Sequence, residues 1–268
     1  INGKPATADP DYRLLRDATV SHARALLEHS PVTLLLGGWD ASRKSHQGRY
    51  RSILVGEIIG ILADQDGNPS AHQSKRGGAR IDPLGMRIEI TDKDRKAIAD
   101  AQKNELSKGT YDNAVKKKQA STLGLGGIPP ALEQLGGVAC QAIIRSHVLS
   151  FSALRALRFD CDNPEGNVAC RAVLATLALT GLARSDAELL LRANCDLVEA
   201  GPTVVTLDKR YGQKETLDPL SVDQAQDLLT AAIEHAEREV GLIWDGSALV
   251  VEGNPAILAA AVDDAQDE

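Results

Sequence analysis

Apolar positions near the start of the chain recur with the stride of a helix. In "DYRLLRDATVSHARALLEH" (11–29), Leu14, Leu15, Ala18, Ala25 and Leu26 fall on one stripe, and Pro31 ends the predicted helix. "VTLLL" (32–36) is an unbroken apolar run closed by Gly37 and Gly38, which predicts a buried strand. Residues 50–62 predict a helix, with Ile53, Leu54, Ile58, Ile59 and Ile61 covering most of its surface. "MRIEI" (86–90) alternates as a half-buried strand does. Residues 92–119 are polar and Lys-rich, as in a solvated helix or a mobile arm.

Further along, "VACQAIIRS" (138–146) predicts a strand, and "SFSALRALRF" (150–159) a helix capped by Ser150. "CRAVLATLALTGLA" (170–183) is apolar nearly all round and so predicts a buried helix. "AELLLRANCDLVEA" (187–200) and "TVVTL" (203–207) are strand candidates. The clearest amphipathic helix covers 221–240, with Ser221 as its cap and Leu228, Ile233 and Ala236 facing inward. "GLIWDG" and "ALVVEG" predict a closing hairpin around Asp245 and Gly246. The pattern as a whole predicts a single α+β domain over 1–268 with long insertions at 62–85 and 92–135.

Composition narrows the class. At 268 residues the chain can bury a sizeable core, and 43% hydrophobic with 25% charged residues is the balance of a globular protein. Aromatic residues make up only 3%, which weighs against a base reader built mainly on stacking. The longest apolar runs, "VTLLL" and "LAAAV", fall far short of the roughly 20 residues a membrane span needs. No signal-peptide pattern opens the sequence, so a cytoplasmic protein without a membrane partner is expected. Cys140, Cys161, Cys170 and Cys195 form no C-x-x-C pair, which predicts reduced thiols. The histidines, at 22, 29, 46, 72, 147 and 235, lack ligand spacing, so no metal or other cofactor is expected.

The net charge of −7 is unevenly distributed. Residues 1–158 carry +7 and residues 159–268 carry −14. Such a split predicts a polyanion-facing part and a solvated acidic part.

Four basic segments are candidates for the first role. Arg43, Lys44, His46, Arg49 and Arg51 crowd into 43–51, just before the predicted helix, where backbone N–H groups and long cations make an anion site. In "SKRGGARIDPLG" (74–85), Lys75, Arg76 and Arg80 flank a Gly pair that lets backbone approach a phosphate. In "RSHVLSFSALRALR" (145–158), Arg145 ends a strand, while Arg155 and Arg158 share a helix face. Ser146 and His147 are adjacent and would point apart, a poor nucleophile–base pair. Lys116, Lys117 and Lys118 form the fourth, a solvated face or a clamp on a polyanion. Glu57, on the predicted helix, reads as a structural acid able to bridge to a cation such as Arg145. Each segment alone is equally the sequence of a solvated loop. No G-x-G-x-x-G, G-x-x-x-x-G-K-[ST] or G-x-S-x-G is present.

Several pieces together resemble a family. "LLGGWDAS" (35–42), "RSILVGEIIG" (51–60), "ARIDPLG" (79–85) and "GGVACQAIIRSHVLSFSALRALRF" (136–159) are similar, in that order, to the RAMP-superfamily backbone subunit of type I-G (formerly I-U) CRISPR surveillance complexes. The resemblance implies an RRM-like (ferredoxin-like) palm with inserted finger and thumb elements. It implies copies of the chain joined head to tail in a Cascade-like helical filament along crRNA, with the target DNA strand and other CRISPR effector subunits as further partners. It implies no catalysis by this subunit. On that footing Arg43, Lys44, Arg49, Arg51, Lys75, Arg76, Arg80 and Arg145 are expected on phosphates, with Lys116 and Lys117 as further contacts. Gly126 and Gly127, within "GLGGIPP" (124–130), are expected where backbone meets the RNA.

Gripping phosphates without reading bases suits a guide complex, because the spacer must stay free to pair. An acidic face meeting a neighbour's basic face would favour head-to-tail assembly, which propagates as an open helix when it does not close. The net acidity departs from a uniformly basic RNA groove. Two other readings stand beside this one: an RNA-processing endoribonuclease of the same superfamily using His46 or His147 as general base, and a protein scaffold whose basic loops are only solvated.

Overall fold

A computed structural model describes residues 5–39, 44, 48–62, 86–88, 90–125, 140–188, 197–244, 246, 250–255, 258 and 261–263. The helix predicted over 11–29 is two helices, α1 (Pro10–Asp17) and α2 (Arg24–His29). Asp9 caps α1 by accepting the Tyr12 N–H at 2.9 Å. The break falls where β-branched Thr19 and Val20 resist helical χ1 angles. There Thr19 pairs with His22, and His22 bridges to the backbone of Phe159.

The strand predicted at 32–36 is instead a helix, α3 (Pro31–Leu36). Pro31 occupies its first turn, where a missing N–H costs nothing and the fixed φ suits the helix. Gly37 then leaves with φ +83, and a Cβ there would meet Ser52 Oγ and the Tyr50 carbonyl at 2.9 Å. That turn sends the chain into β1 (Gly38–Trp39), which pairs with β2 (Arg49–Tyr50).

The helix predicted over 50–62 is a strand, β3 (Leu54–Leu62). Its apolar residues are largely β-branched, and Gly56 and Gly60 weaken a helix further. A short strand, β4 (Met86–Ile88), lies within the alternating segment predicted there. The Lys-rich stretch after it forms two capped helices, α4 (Asp92–Ala101) and α5 (Lys108–Val115), with Thr91 and Ser107 accepting N–H groups at 3.1 Å.

The next strand is β5 (Cys140–Leu149), which runs past the predicted end and pairs antiparallel with β3, Leu54 opposite Leu149 and Ile59 opposite Ile144. α6 (Phe151–Ala156) follows, with Ser150 as its cap as predicted. The apolar helix predicted over 170–183 is extended in both directions as α7 (Pro164–Ala187), capped by Asn163. It is long and apolar enough to cross a membrane by length and composition, with mean hydropathy 1.4. In this fold its apolar residues are spent on the core: Ala169, Cys170, Val173, Leu174 and Ala178 are all buried.

A hairpin of β6 (Val205–Asp208) and β7 (Lys214–Leu217) follows, turning at Tyr211, whose φ is 60. Only its first strand was predicted. The strand candidate at 187–200 lies mostly outside the described residues, and 197–200 are not strand. α8 (Val222–Val240) carries a complete capping box of Ser221 and Gln224. Leu228, predicted to face inward, is 45% exposed, and Leu229 takes the inward place. Ala236 is buried and Ile233 packs against the core as predicted. The closing hairpin predicted around 245–246 is not formed by its described parts. The last strand, β8 (Ala261–Asp263), pairs with β4 instead.

The architecture is α+β. Among the described residues, the strands form four separate antiparallel pairs. One core joins α2, α3, α6, α7 and α8 around Leu27, Leu34, Ile53, Phe159 and Leu174. Phe159→Ala should remove about 3–5 kcal/mol of stability, because a fully buried ring leaves a cavity. Ser221→Ala should cost only about 1 kcal/mol, the worth of one N-cap. Urea denaturation of the two variants checks both the size and the order.

Candidate nucleic-acid interface

The basic loop is held by groups on either side of it. Ser52 Oγ donates to the Leu36 carbonyl at 2.8 Å, and the Ile53 N–H donates to the Leu35 carbonyl at 2.8 Å. The Tyr50 hydroxyl donates to the Ala18 carbonyl. Ile53 itself is buried. These anchors leave Arg49 and Arg51 exposed just outside the core. The Lys44 N–H donates to the Glu105 carbonyl at 2.9 Å, which ties the loop to the connection between α4 and α5. Arg16 of α1 reaches the Glu105 carboxylate at 3.2 Å, so three segments meet there.

Trp39 stands opposite Arg49 across β1 and β2. It is 72% exposed, and the Arg49 guanidinium lies over its ring at 5.6 Å from the centroid. Among the described residues, Lys44, Arg49 and Arg51 have no carboxylate partner. A cleft of about 270 Å³ opens beside the ring, lined by Tyr12, Arg16, Ser30, Gly48 and Tyr50. The sequence reading passed over Trp39 because it weighed aromatic content over the whole chain. The signal was local: one of only two tryptophans sits between a Gly pair and four cations. Tyr211, 95% exposed at the tip of the β6–β7 hairpin, was missed in the same way.

The other predicted cations divide. Arg43, Lys75, Arg76, Arg80, Gly126 and Gly127 lie outside the described residues, as does His46. Lys116 pairs with Asp112 at 3.0 Å, and Lys118 pairs with Asp92. The Asp92 carboxyl is held below its ordinary range by hydrogen bonds from Lys118 and Arg95. Lys116 therefore braces the end of α5 and Lys118 ties the segment after α5 to α4, while Lys117 is exposed and has no acid partner among the described residues.

Arg145 lies in the middle of β5 rather than at a strand end. Its guanidinium pairs with Asp186 on α7 and donates to Ser185 Oγ at 3.2 Å. It is not joined to Glu57, which accepts a hydrogen bond from its cross-strand neighbour Ser146 at 3.2 Å. A nearby carboxylate at the C-terminal end of α7 neutralises Arg145, so phosphate would have to compete with Asp186.

His147 faces Gly56 across the ribbon, and a Cβ at Gly56 would meet its Nδ1 at 2.7 Å. Partial burial pushes its pKa below the usual value, and the positive charge of Arg145 adds to this. No hydrogen bond orients its ring among the described residues. A larger cleft, about 710 Å³, lies between α1 and α2 with the His22–Asp160 pair on its wall. Asp11, Asp17, Glu28 and Asp160 line it against Arg13 and Arg24, a charge balance unsuited to a polyanion.

Residues 1–65 match the sequence model of a family described as CRISPR-associated protein GSU0053. The matched stretch is about a quarter of the chain and includes β1, β2, β3 and the basic loop. No curated protein and no solved structure matches the chain. The match associates this chain with CRISPR systems.

The His147 shift has a consequence for stability. The fold favours the neutral ring, so its contribution is whole above about pH 6.5 and is lost as pH falls below that value. The stability of the wild type relative to His147→Gln should therefore shrink between about pH 7 and pH 5. Urea midpoints of both proteins across that range measure it, and parallel curves would contradict the shift.

Proposed function

We propose that this chain is a crRNA-binding backbone subunit of a Cascade-like CRISPR surveillance complex. The observation that carries the reading is the exposed hairpin of Trp39 and Arg49, with Lys44 and Arg51 beside it, inside the stretch similar to a CRISPR-associated family. Cations without acid partners bind a sugar–phosphate chain through its charge, whatever its sequence. An exposed indole adds a sequence-tolerant stacking surface, worth about 1–3 kcal/mol per base.

In this reading the fold is an RRM-like palm with finger and thumb insertions. Copies of the chain assemble head to tail on the RNA, and the bound guide is presented to the target DNA strand. Other CRISPR effector subunits complete the complex, which works in the cytoplasm, and this subunit performs no catalysis. Lys44, Arg49 and Arg51 hold phosphates, together with Arg43, Lys75, Arg76 and Arg80. The split of +7 over residues 1–158 and −14 over the remainder supports contact between unlike faces of neighbouring copies.

Size-exclusion chromatography with and without ribonuclease tests the assembly. A large, RNA-containing species that collapses on ribonuclease treatment is the expected result, and an unchanged monomer peak would refute it. Arg49→Gln and Arg51→Gln should each weaken binding to a single-stranded RNA about equally for all sequences. Each should also lower the salt slope by about 1. The endoribonuclease reading predicts metal-independent RNA cleavage that disappears in His46→Ala or His147→Ala.

A further inference from the structure

Arg158 and Arg171 meet at the C-terminal end of α6, whose last turn carries Arg155. Arg158 Nη1 donates to the Arg155 carbonyl at 2.6 Å and to the Leu157 carbonyl at 3.0 Å. Arg171, on the neighbouring α7, donates to the same Leu157 carbonyl through Nε at 3.2 Å and Nη2 at 2.7 Å. One carbonyl oxygen thus gathers two guanidinium groups, one from α7 and one from the segment after α6, which ends at Ala156, so Arg158 does not share the predicted helix face with Arg155. Arg155 lies in the last turn of α6, exposed, its side chain with neither an acid nor a hydrogen-bond partner among the described residues.

Helix-end carbonyls account for part of this arrangement, because cations are favoured at the negative end of a helix. They do not account for all of it. Each guanidinium offers five N–H donors in a planar fork. After the bonds above, Arg158 keeps Nε and Nη2, Arg171 keeps Nη1, and Arg155 keeps its whole fork. No carboxylate is paired with any of the three among the described residues. Asp160, the nearest acid along the chain, is engaged by His22. Arg171 is pushed below its ordinary pKa, first by burial and then by the positive charges of Arg158 and Arg155, so the like charges act on one another.

Two guanidinium groups gathered on one carbonyl, a third cation in the adjoining helix turn, spare donors and no acid partner among the described residues match the oxygens of a tetrahedral oxyanion. We propose that Arg155, Arg158 and Arg171 form a phosphate-binding site, filled either by a nucleic-acid phosphodiester or by free phosphate. The site is separate from the Trp39–Arg49 hairpin, and the proposal does not depend on the function argued above.

The test uses the full chain freed of RNA, in buffer of low ionic strength, with inorganic phosphate as the probe and chloride as the control at matched ionic strength. Arg155→Gln is the informative variant, because this side chain is exposed and holds no backbone group. Without phosphate it should melt slightly above the wild type, since one repelling charge is gone. With phosphate the order should reverse, because only the wild type gains stability from binding. A variant that melts below the wild type without phosphate, or responds to phosphate as the wild type does, would overturn the site.

A short single-stranded RNA then separates the sources. Affinity on the order of tenfold weaker in Arg155→Gln assigns the site to the phosphodiester chain. Unchanged RNA affinity with a lost phosphate response assigns it to free phosphate. Failure of RNA binding altogether would count against the proposed function while leaving the phosphate result intact.

Discussion

The fold rests on the burial of α7. A helix that is apolar on nearly every side needs cover on more than one side. α8 covers one flank with Ala225, Leu229, Ala232 and Ala236. Leu27, Leu34, Ile53, Leu154 and Phe159 pack into the same core, while Val168 of α7 stays 59% exposed. Each fully buried Val, Leu or Phe contributes about 1.5–3 kcal/mol relative to exposure, so this cluster outweighs any surface ion pair in the molecule. Thr180 sits where the two long helices meet, its one hydroxyl hydrogen shared between carbonyls on both, Thr176 of α7 and Ala225 of α8, at 2.9 Å each.

That central helix also places charge. Its first half brings Arg171 to the end of α6, and its last turn brings Asp186 to the middle of the β3–β5 ribbon. Arg145 is thereby neutralised, while Arg155 and Arg158 have no acid partner among the described residues. At the other side of the core, Ile53 pins the chain two residues after Arg51, so the cations at 49 and 51 emerge from a rigid base. Recognition of a flexible polyanion benefits from such anchoring, because less side-chain and loop freedom is lost on binding.

Much of the helical frame was legible in the sequence. Ser150, Ser221 and the apolar run at 170–183 each carry a local signal, a cap or an all-round apolar helix, that needs no distant partner to interpret. The site was legible only in part. The crowding of Lys44, Arg49 and Arg51 marked an anion site, but Trp39 stayed hidden behind a low aromatic total. The pairing of Lys116 with Asp112 was open to an i,i+4 reading, while that of Lys118 with Asp92 was invisible, since Asp92 opens α4 and is remote along the chain.

What the sequence by itself determined is therefore local: helix caps, the amphipathic stripe of α8, the buried helix α7, and the placement of cations before residue 159. Only the tertiary structure decided whether 32–36 and 54–62 were helix or strand. Short β-branched or leucine-rich runs satisfy both periods, and a partner strand at 140–149 or a packing surface under Leu34 and Leu35 breaks the tie. It likewise decided which cations are free, because an ion pair such as Arg145 with Asp186 joins residues 41 positions apart that no local pattern connects.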